Sequence, residues 1–252
     1  KSVGYDLSCD VLVIGGGGAG LRAAIEARLA GADVLMVSKG RVGYANNTFI
    51  SKSLIAASGW GDPQDGARTH LEDTLEGGRF LNDPVLVSLM VGEAKDQVSF
   101  LEQCGVAFAK NKGRFQIDYI SGHRFPRHVG GRHRTGSDLI LPLKRYADKI
   151  GVRFVDQVFI TRLFSSDNRM AGASGVSRDG EFLAISSKCV ILATGGFGHI
   201  YLRTNNAAGI AGNGTPEQVM EWAPQCYGTA DNVMLGAFCV SEPDAGSDVS
   251  SL

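Results

Sequence analysis

Apolar residues along this chain fall into short blocks of two kinds of spacing. Cys9-Asp-Val-Leu-Val-Ile14 is a compact β-branched run, the pattern of a strand buried on both faces. It runs into Gly15-Gly-Gly-Gly-Ala-Gly20, after which Leu21, Ala24, Ile25 and Leu29 recur at helical spacing until Gly31. Ala32-Asp-Val-Leu-Met-Val37 is a second buried strand, so the opening segment predicts one βαβ unit. Asp62-Pro63 and Asp83-Pro84 each read as a capping aspartate with proline at the first helical position. The second predicts a helix from Pro84 to about Cys104, closed by Gly105. Ser137 predicts the cap of a further helix that runs to Ile150 and stops at Gly151. Residues 152–193 then read as strands: Val152–Val155, Val158–Phe164, Met170–Val176, Glu181–Ser186 and Cys189–Ala193. Asp167-Asn168 and Asp179-Gly180 are the turn signals between them, and the last strand delivers a second glycine turn, Thr194-Gly-Gly-Phe-Gly198. No internal repeat is present. The expected class is α/β.

Composition sharpens this in one respect. Glycine supplies 34 of 252 residues, nearly twice the share of roughly 7% usual in soluble domains. The glycines are neither collagen-periodic nor gathered in a linker, so many backbone positions need positive φ or close approach. The formal net charge of -1 and sequence pI of 6.6 argue against nucleic acid or a membrane surface as partner. At this length one or two domains fit, and 44% hydrophobic residues suffice for a core. Cys9, Cys104, Cys189, Cys226 and Cys239 form no CxxC pair, as expected of a chain in a reducing compartment. No apolar run approaches the roughly 18 residues of a membrane span, and no signal-peptide core opens the chain. A soluble cytoplasmic protein is expected, with partner subunits as the one route to membrane association.

Gly15-x-Gly17-x-x-Gly20 has the spacing of a dinucleotide-binding turn. The first glycine makes the turn, the second lets a pyrophosphate approach the backbone, and the third lets helix pack on strand. Gly18 and Ala19 open the following helix, whose N-terminus offers N–H groups and partial positive charge to phosphate. The alternative is a turn that serves packing alone. An acidic residue about twenty positions on, which would hold a ribose hydroxyl, is absent. The second strand ends Val37-Ser38-Lys39-Gly40 instead. An ordinary NAD site is thereby disfavoured.

Gly15–Gly20 with Leu21-Arg22-Ala23-Ala24, then Ser38-Lys39, then Ala193-Thr194-Gly195-Gly196, resemble the succinate dehydrogenase/fumarate reductase flavoprotein family, which includes L-aspartate oxidase. Arg134-Thr135-Gly136 resembles that family's Arg-Thr-Gly before a helix. The resemblance covers about residues 8–206. It implies a Rossmann-like FAD-binding domain whose small antiparallel β insertion corresponds to the strands from 158 to 187. It further implies FAD, with pyrophosphate on Gly15, Gly17, Gly18, Ala19 and Gly20, and the adenosine half near Ser38, Lys39 and Gly40. Ala193, Thr194, Gly195 and Gly196 would pack beside the cofactor, and Val42–Ala57 would carry the contacts on the flavin-ring side. Covalent members have a histidine just before a threonine in that segment. Here the pair is Asn47-Thr48, so non-covalent flavin is expected. Ser51-Lys52-Ser53 also stands where the family has a glycine pair. In the complete family, hydride moves between flavin N5 and a C4-dicarboxylate, and electrons commonly continue to an iron–sulfur subunit. The family's arginine acid and dicarboxylate-binding histidines lie beyond the residues that match, so no catalytic residue is assigned.

His123, His128 and His133 sit five apart among Arg124, Arg127, Arg132 and Arg134. That spacing suits neither one helix face nor one strand face, so no metal site is expected. An anion-binding loop and a solvated basic loop are the remaining readings, and the solvated loop is the favoured one. His70 and His199 are expected to be surface or internally satisfied residues.

Residues 207–252 read differently. Gly214-Thr-Pro-Glu-Gln218 and Phe238-Cys-Val-Ser-Glu-Pro-Asp-Ala-Gly-Ser-Asp248 resemble acyl-CoA dehydrogenases, with Phe238–Ser241 in place of that family's flavin-contacting loop and Ser247 near the acyl-CoA. The expected organisation is an FAD-binding domain over 1–206 and an acyl-CoA dehydrogenase-like tail over 207–252, resembled from residue 212 onward, with the junction at 207–213. The rival readings are an acyl-CoA dehydrogenase-related fragment and a module that holds FAD without turnover.

Overall fold

The computed structural model describes residues 5–210 apart from 167, 168, 197, 201, 202 and 209. The Asp167-Asn168 turn and the whole 212–252 segment therefore lie outside the described residues. The elements in chain order begin with strand β1 (Tyr5–Ile14), helix α1 (Gly18–Leu29) and strand β2 (Val34–Val37). A one-turn helix α2 (Asn47–Ile50), strand β3 (Leu54–Ala56), and helices α3 (Ala67–Gly77) and α4 (Pro84–Gln103) follow. Four short strands come next: β4 (Lys110–Asn111), β5 (Arg114–Phe115), β6 (Ile117–Asp118) and β7 (His128–Gly130). Helix α5 (Ser137–Lys149), strands β8 (Arg153–Val155), β9 (Val158–Ser166), β10 (Arg169–Ser177) and β11 (Phe182–Leu192), and a 3-10 turn at Gly198–Ile200 complete the described chain.

Residues 5–46 with 144–210 form one compact unit, and residues 47–143 form another. The first is built on a six-stranded sheet in the order β8-β2-β1-β11-β10-β9. β8, β2, β1 and β11 run parallel, while β10 and β9 pair antiparallel as the insertion. Every residue of β2 is buried, which is why it reads as a continuous apolar run rather than an alternation. Leu12, Ile14, Leu35 and Val37 join Val158, Ala173, Leu183 and Ile185 in one core cluster. Gly20, Leu21, Ala24 and Ile25 form the buried stripe of α1. The second unit gathers Ala57, Ala94, Val98, Val106, Phe108, Val129 and Leu139 into its own core, with Trp60 edge-on to Phe115 at 4.5 Å.

Two local expectations need correction. No helix starts at Pro63. The Asp62 carboxylate accepts from the Gln64 N–H at 2.8 Å and its carbonyl from the Asp65 N–H at 3.0 Å, so Asp62 closes a turn, and α3 begins only at Ala67. Asp83 does cap α4, accepting from Val85 and Leu86 N–H groups. The expected strands Glu181–Ser186 and Cys189–Ala193 are a single strand, β11. Its polar centre stays in the parallel ladder because Ser186 and Ser187 pair with Ser8 and Cys9, and Lys188 reaches Asp10 at 2.6 Å. Among the described residues no helix is long and apolar enough to cross a membrane.

Candidate functional site

The two glycine turns leave the carboxyl ends of neighbouring parallel strands, β1 and β11, and meet there. Gly15 takes φ +121° and donates its N–H to the Val37 carbonyl at 2.8 Å. A Cβ on Gly15 would lie 2.1 Å from the Ala193 carbonyl oxygen, and one on Gly20 would lie 2.0 Å from the Gly15 oxygen. Gly16 is equally confined, with Ser38 Oγ and Val42 Cα both closer than 3.0 Å to its Cβ position. These three glycines are required by the fold itself.

Gly17 is different. It caps α1 with φ −87° and ψ −172°, angles open to any residue, and the nearest atom to its Cβ position is Asn46 Cγ at 3.9 Å. Neither strain nor packing within the chain demands glycine there. The open face lies at the start of α1, whose first turn carries no acidic residue. Partial positive charge and N–H groups at a helix start suit a phosphate, and carboxyl-end crevices of parallel sheets are where ligands of such folds bind. The site thus fits a pyrophosphate that approaches the backbone at Gly17.

Around this turn Ser38 is half-buried, Lys39 exposed and Gly40 half-buried. Gly18 and Ala19 are half-buried in the first turn of α1, and Ala193 is buried, its N–H donating to the Ile14 carbonyl at 2.8 Å. Thr194 is half-buried, whereas Gly195, at φ +74°, and Gly196 are exposed. Asn47 and Thr48 open α2 in the second unit, half-buried. Gly136 is fitted to that helix, since a Cβ there would lie 1.7 Å from the Thr48 carbonyl oxygen. One contributor escapes a motif reading: Asp156, just past β8, accepts from the Val42 N–H at 2.8 Å and pins the start of the loop after β2. The only sequence signal is a carboxylate at the end of a parallel strand. His199 lies in the 3-10 turn and donates its backbone N–H to Ile210.

The second unit holds the main departure from expectation. The solvated basic loop is half wrong: Arg127 is wholly buried, and His123 and His128 are buried with it. The Arg127 guanidinium donates to both Asp65 oxygens, at 2.7 and 3.2 Å. It also pairs with Asp73 Oδ2 at 2.8 Å and donates to His123 Nδ1 at 2.9 Å. Arg124, half-exposed, adds a second cation against Asp73 and Glu72. His70 proves to be buried, not a surface residue, with its ring 5.6 Å from that of His123, which lies 4.7 Å from His128. Burial, then the Arg127 charge and the neighbouring histidines, push the His70 pKa down to about 3. Burial, then His123 and Arg127, lower that of His128 to about 4. Burial and Arg127 also lower His123. For Asp73, burial is the largest influence and raises the pKa. The hydrogen bonds from Arg124 and the charges of Arg127 and Arg124 outweigh it, leaving Asp73 below the usual carboxylate range. Of His123, His128 and His133, only His133 is exposed, paired with Asp138 at 2.8 Å. Among the described residues no cluster of His, Cys, Asp or Glu could hold a metal ion.

Comparison with known proteins gives this geometry a family. The FAD binding domain family matches residues 10–242. One subunit of the fumarate reductase (CoM/CoB) of Methanothermobacter marburgensis is 38% identical over 82% of this chain and 38% of its own length. An L-aspartate oxidase of Streptomyces coelicolor is 31% identical over 84% of the chain and 37% of its own. Among solved structures, Mycobacterium smegmatis Sdh1 in complex with UQ1 superposes with a TM-score of 0.80, at 34% identity over 86% of the chain and 38% of that protein. The chain therefore spans well under half the length of these relatives. It belongs to the FAD binding domain family and is the FAD-binding domain of a flavoprotein of the fumarate reductase and succinate dehydrogenase type, with FAD as its cofactor.

Proposed function

We propose that this domain holds FAD without a covalent bond, for hydride exchange with a C4-dicarboxylate in the complete enzyme. The carrying observation is the open face of Gly17 between glycines that the fold cannot replace. In this reading Gly15, Gly17, Gly18, Ala19 and Gly20 take the pyrophosphate, and Ser38, Lys39 and Gly40 take the adenosine half. Ala193, Thr194, Gly195 and Gly196 line the cofactor, and Asn47 and Thr48 belong to the flavin-ring side. FAD, when bound, supplies a two-electron hydride carrier. The protein's part is to orient it. Backbone N–H groups bind the phosphates without a mobile side chain, and the Asn47 amide, which cannot bond to the ring, leaves it held by contacts alone.

The substrate class is supported by the names of two relatives, an L-aspartate oxidase and a fumarate reductase. Fumarate and L-aspartate share a four-carbon chain with a carboxylate at each end. A cytoplasmic location and an iron–sulfur partner complete the proposal, the partner supported by a relative that is itself named as one subunit of a larger enzyme. No observation favours the acyl-CoA dehydrogenase alternative over this reading.

The test begins with the purified protein, whose absorbance at about 450 nm reports oxidised flavin. Acid precipitation is expected to move all of that colour into the supernatant; colour left on the precipitated protein would refute non-covalent binding. In the full-length polypeptide, reduced flavin should be reoxidised by fumarate and not by crotonyl-CoA. The reverse would transfer the assignment to acyl-CoA chemistry.

A further inference from the structure

Helix α4 is apolar on two faces. Val87, Val91, Ala94 and Val98 form its buried face, and the last two belong to the core of the second unit. Val85, Leu86, Leu89 and Met90 line another face and keep 66%, 57%, 57% and 50% of their surface exposed. Phe80 and Leu81, just before the helix, are 73% and 86% exposed. A surface helix needs only one apolar stripe, so the second calls for something that covers it. The turn that presents Phe80 is held in a strained form. Arg79 and Phe80 both take left-handed φ, +52° and +58°, and the N–H groups of Phe80 and Leu81 donate to the Leu75 and Gly78 carbonyls. Gly92 sits exposed in the middle of the helix with open space beyond its Cβ position, although glycine destabilises a helix interior.

This pattern is its own complement. About a point between Val87 and Ser88, an antiparallel copy of the helix sets Val85 against Met90 and Leu86 against Leu89. The same register sets Arg79 against Asp96, both exposed. It also sets Asp83 at one helix start against Gly92 of the other, where the missing side chain lets the two chains approach. Opposite charges thus flank the apolar stripe at both ends, and each residue is matched to the one that is matched to it, as two-fold symmetry requires. We propose that α4 is a two-fold interface between two copies of this protein, joined along Val85, Leu86, Leu89 and Met90 with Phe80 and Leu81 at its ends. At their exposures these six side chains offer on the order of 600 Å² of apolar surface, and a stable interface takes roughly 800 Å² from each partner. A polar rim supplies the remainder. The surface lies wholly within the second unit and does not depend on where the flavin sits.

Sedimentation of the full-length polypeptide tests this directly. The wild type is expected to be a dimer at about 10 μM. Leu89→Asp puts a charge in the middle of the stripe and should weaken the dimer at least about a hundredfold. The side chain is exposed within one copy, so circular dichroism and flavin content should stay as in the wild type. A dimer that survives Leu89→Asp would overturn the proposal. So would a monomeric wild type, which would hand this face to another segment of polypeptide or to a different subunit. Charge reversal then tests the register, and decides alone if Leu89→Asp does not fold. Asp96→Arg and Arg79→Asp should each weaken the dimer by about tenfold, and the two together should restore it to within about threefold. A double variant no tighter than the single ones would mean that Arg79 and Asp96 do not meet, and would overturn the two-fold pairing.

Discussion

The glycine turn after β1 and the charged knot around Arg127 solve opposite problems. In the proposed reading the turn presents bare backbone to a ligand, and almost nothing in it depends on a side chain. The knot is all side chain, three ionised groups and neutral histidines withdrawn from water. A backbone site needs glycine in fixed places, so it writes itself into the sequence at short range. A buried polar network needs partners from distant elements, so it leaves no local mark. The comparison teaches that the strongest motif and the most costly burial in a domain need not coincide.

The largest effect should come from breaking the knot. Arg127→Ala leaves Asp65 and Asp73 buried without their shared cation, which should cost about 3–5 kcal/mol of stability. A denaturant midpoint that scarcely moves would mean water reaches the two carboxylates. The next test sets two glycines of one turn against each other. Gly15→Ala meets both a positive φ and the Ala193 carbonyl, and should cost about 3 kcal/mol. Gly17→Val meets no atom of the chain closer than 3.9 Å at its Cβ. It should cost under about 1 kcal/mol of stability yet weaken FAD at least about a hundredfold. Wild-type flavin content in folded Gly17→Val would break the comparison at its centre.

The smallest effect, read over the single pH unit below 6.5, is acid sensitivity of the knot. His70 and His128 titrate in the folded chain at about 3 and about 4, against about 6.5 when unfolded. The unfolded chain therefore binds more protons below pH 6.5. Stability present above that pH is lost as pH falls toward 4, by about 1 kcal/mol per histidine between pH 6.5 and 5.5. His70→Phe and His128→Phe would each flatten this slope. An unchanged slope in both would assign acid lability to the carboxylates instead.

Much of the fold was legible because each signal was local. β1 and β2 announced themselves as apolar runs, α4 by its Asp83 cap, and the turn by three glycines between strand and helix. Asp62-Pro63 misled because the same dipeptide serves a turn as well as a helix start, and here Asp65 is required by Arg127 rather than by α3. The break expected between Ser186 and Cys189 failed for a related reason. Ser187 and Lys188 interrupt the apolar pattern and stay extended because β1 lies alongside. The burial of Arg127, His123 and His128 was unreadable, since nothing in a basic stretch reveals that two aspartates over fifty residues earlier fold onto it.

In the proposed reading, the close approach of Gly15 to Ala193 also decides when a flavin could be captured. The fingerprint of the turn is complete once the first βαβ unit exists, yet one wall of the turn belongs to the end of β11. That wall arrives only after the β1–β11 ladder closes across almost the whole described chain. Closing so long a loop carries its entropy cost before any contact repays it, and parallel pairing at such separation is slow. Bound as proposed, FAD would meet a finished sheet and reward completion of the fold rather than guide its early steps.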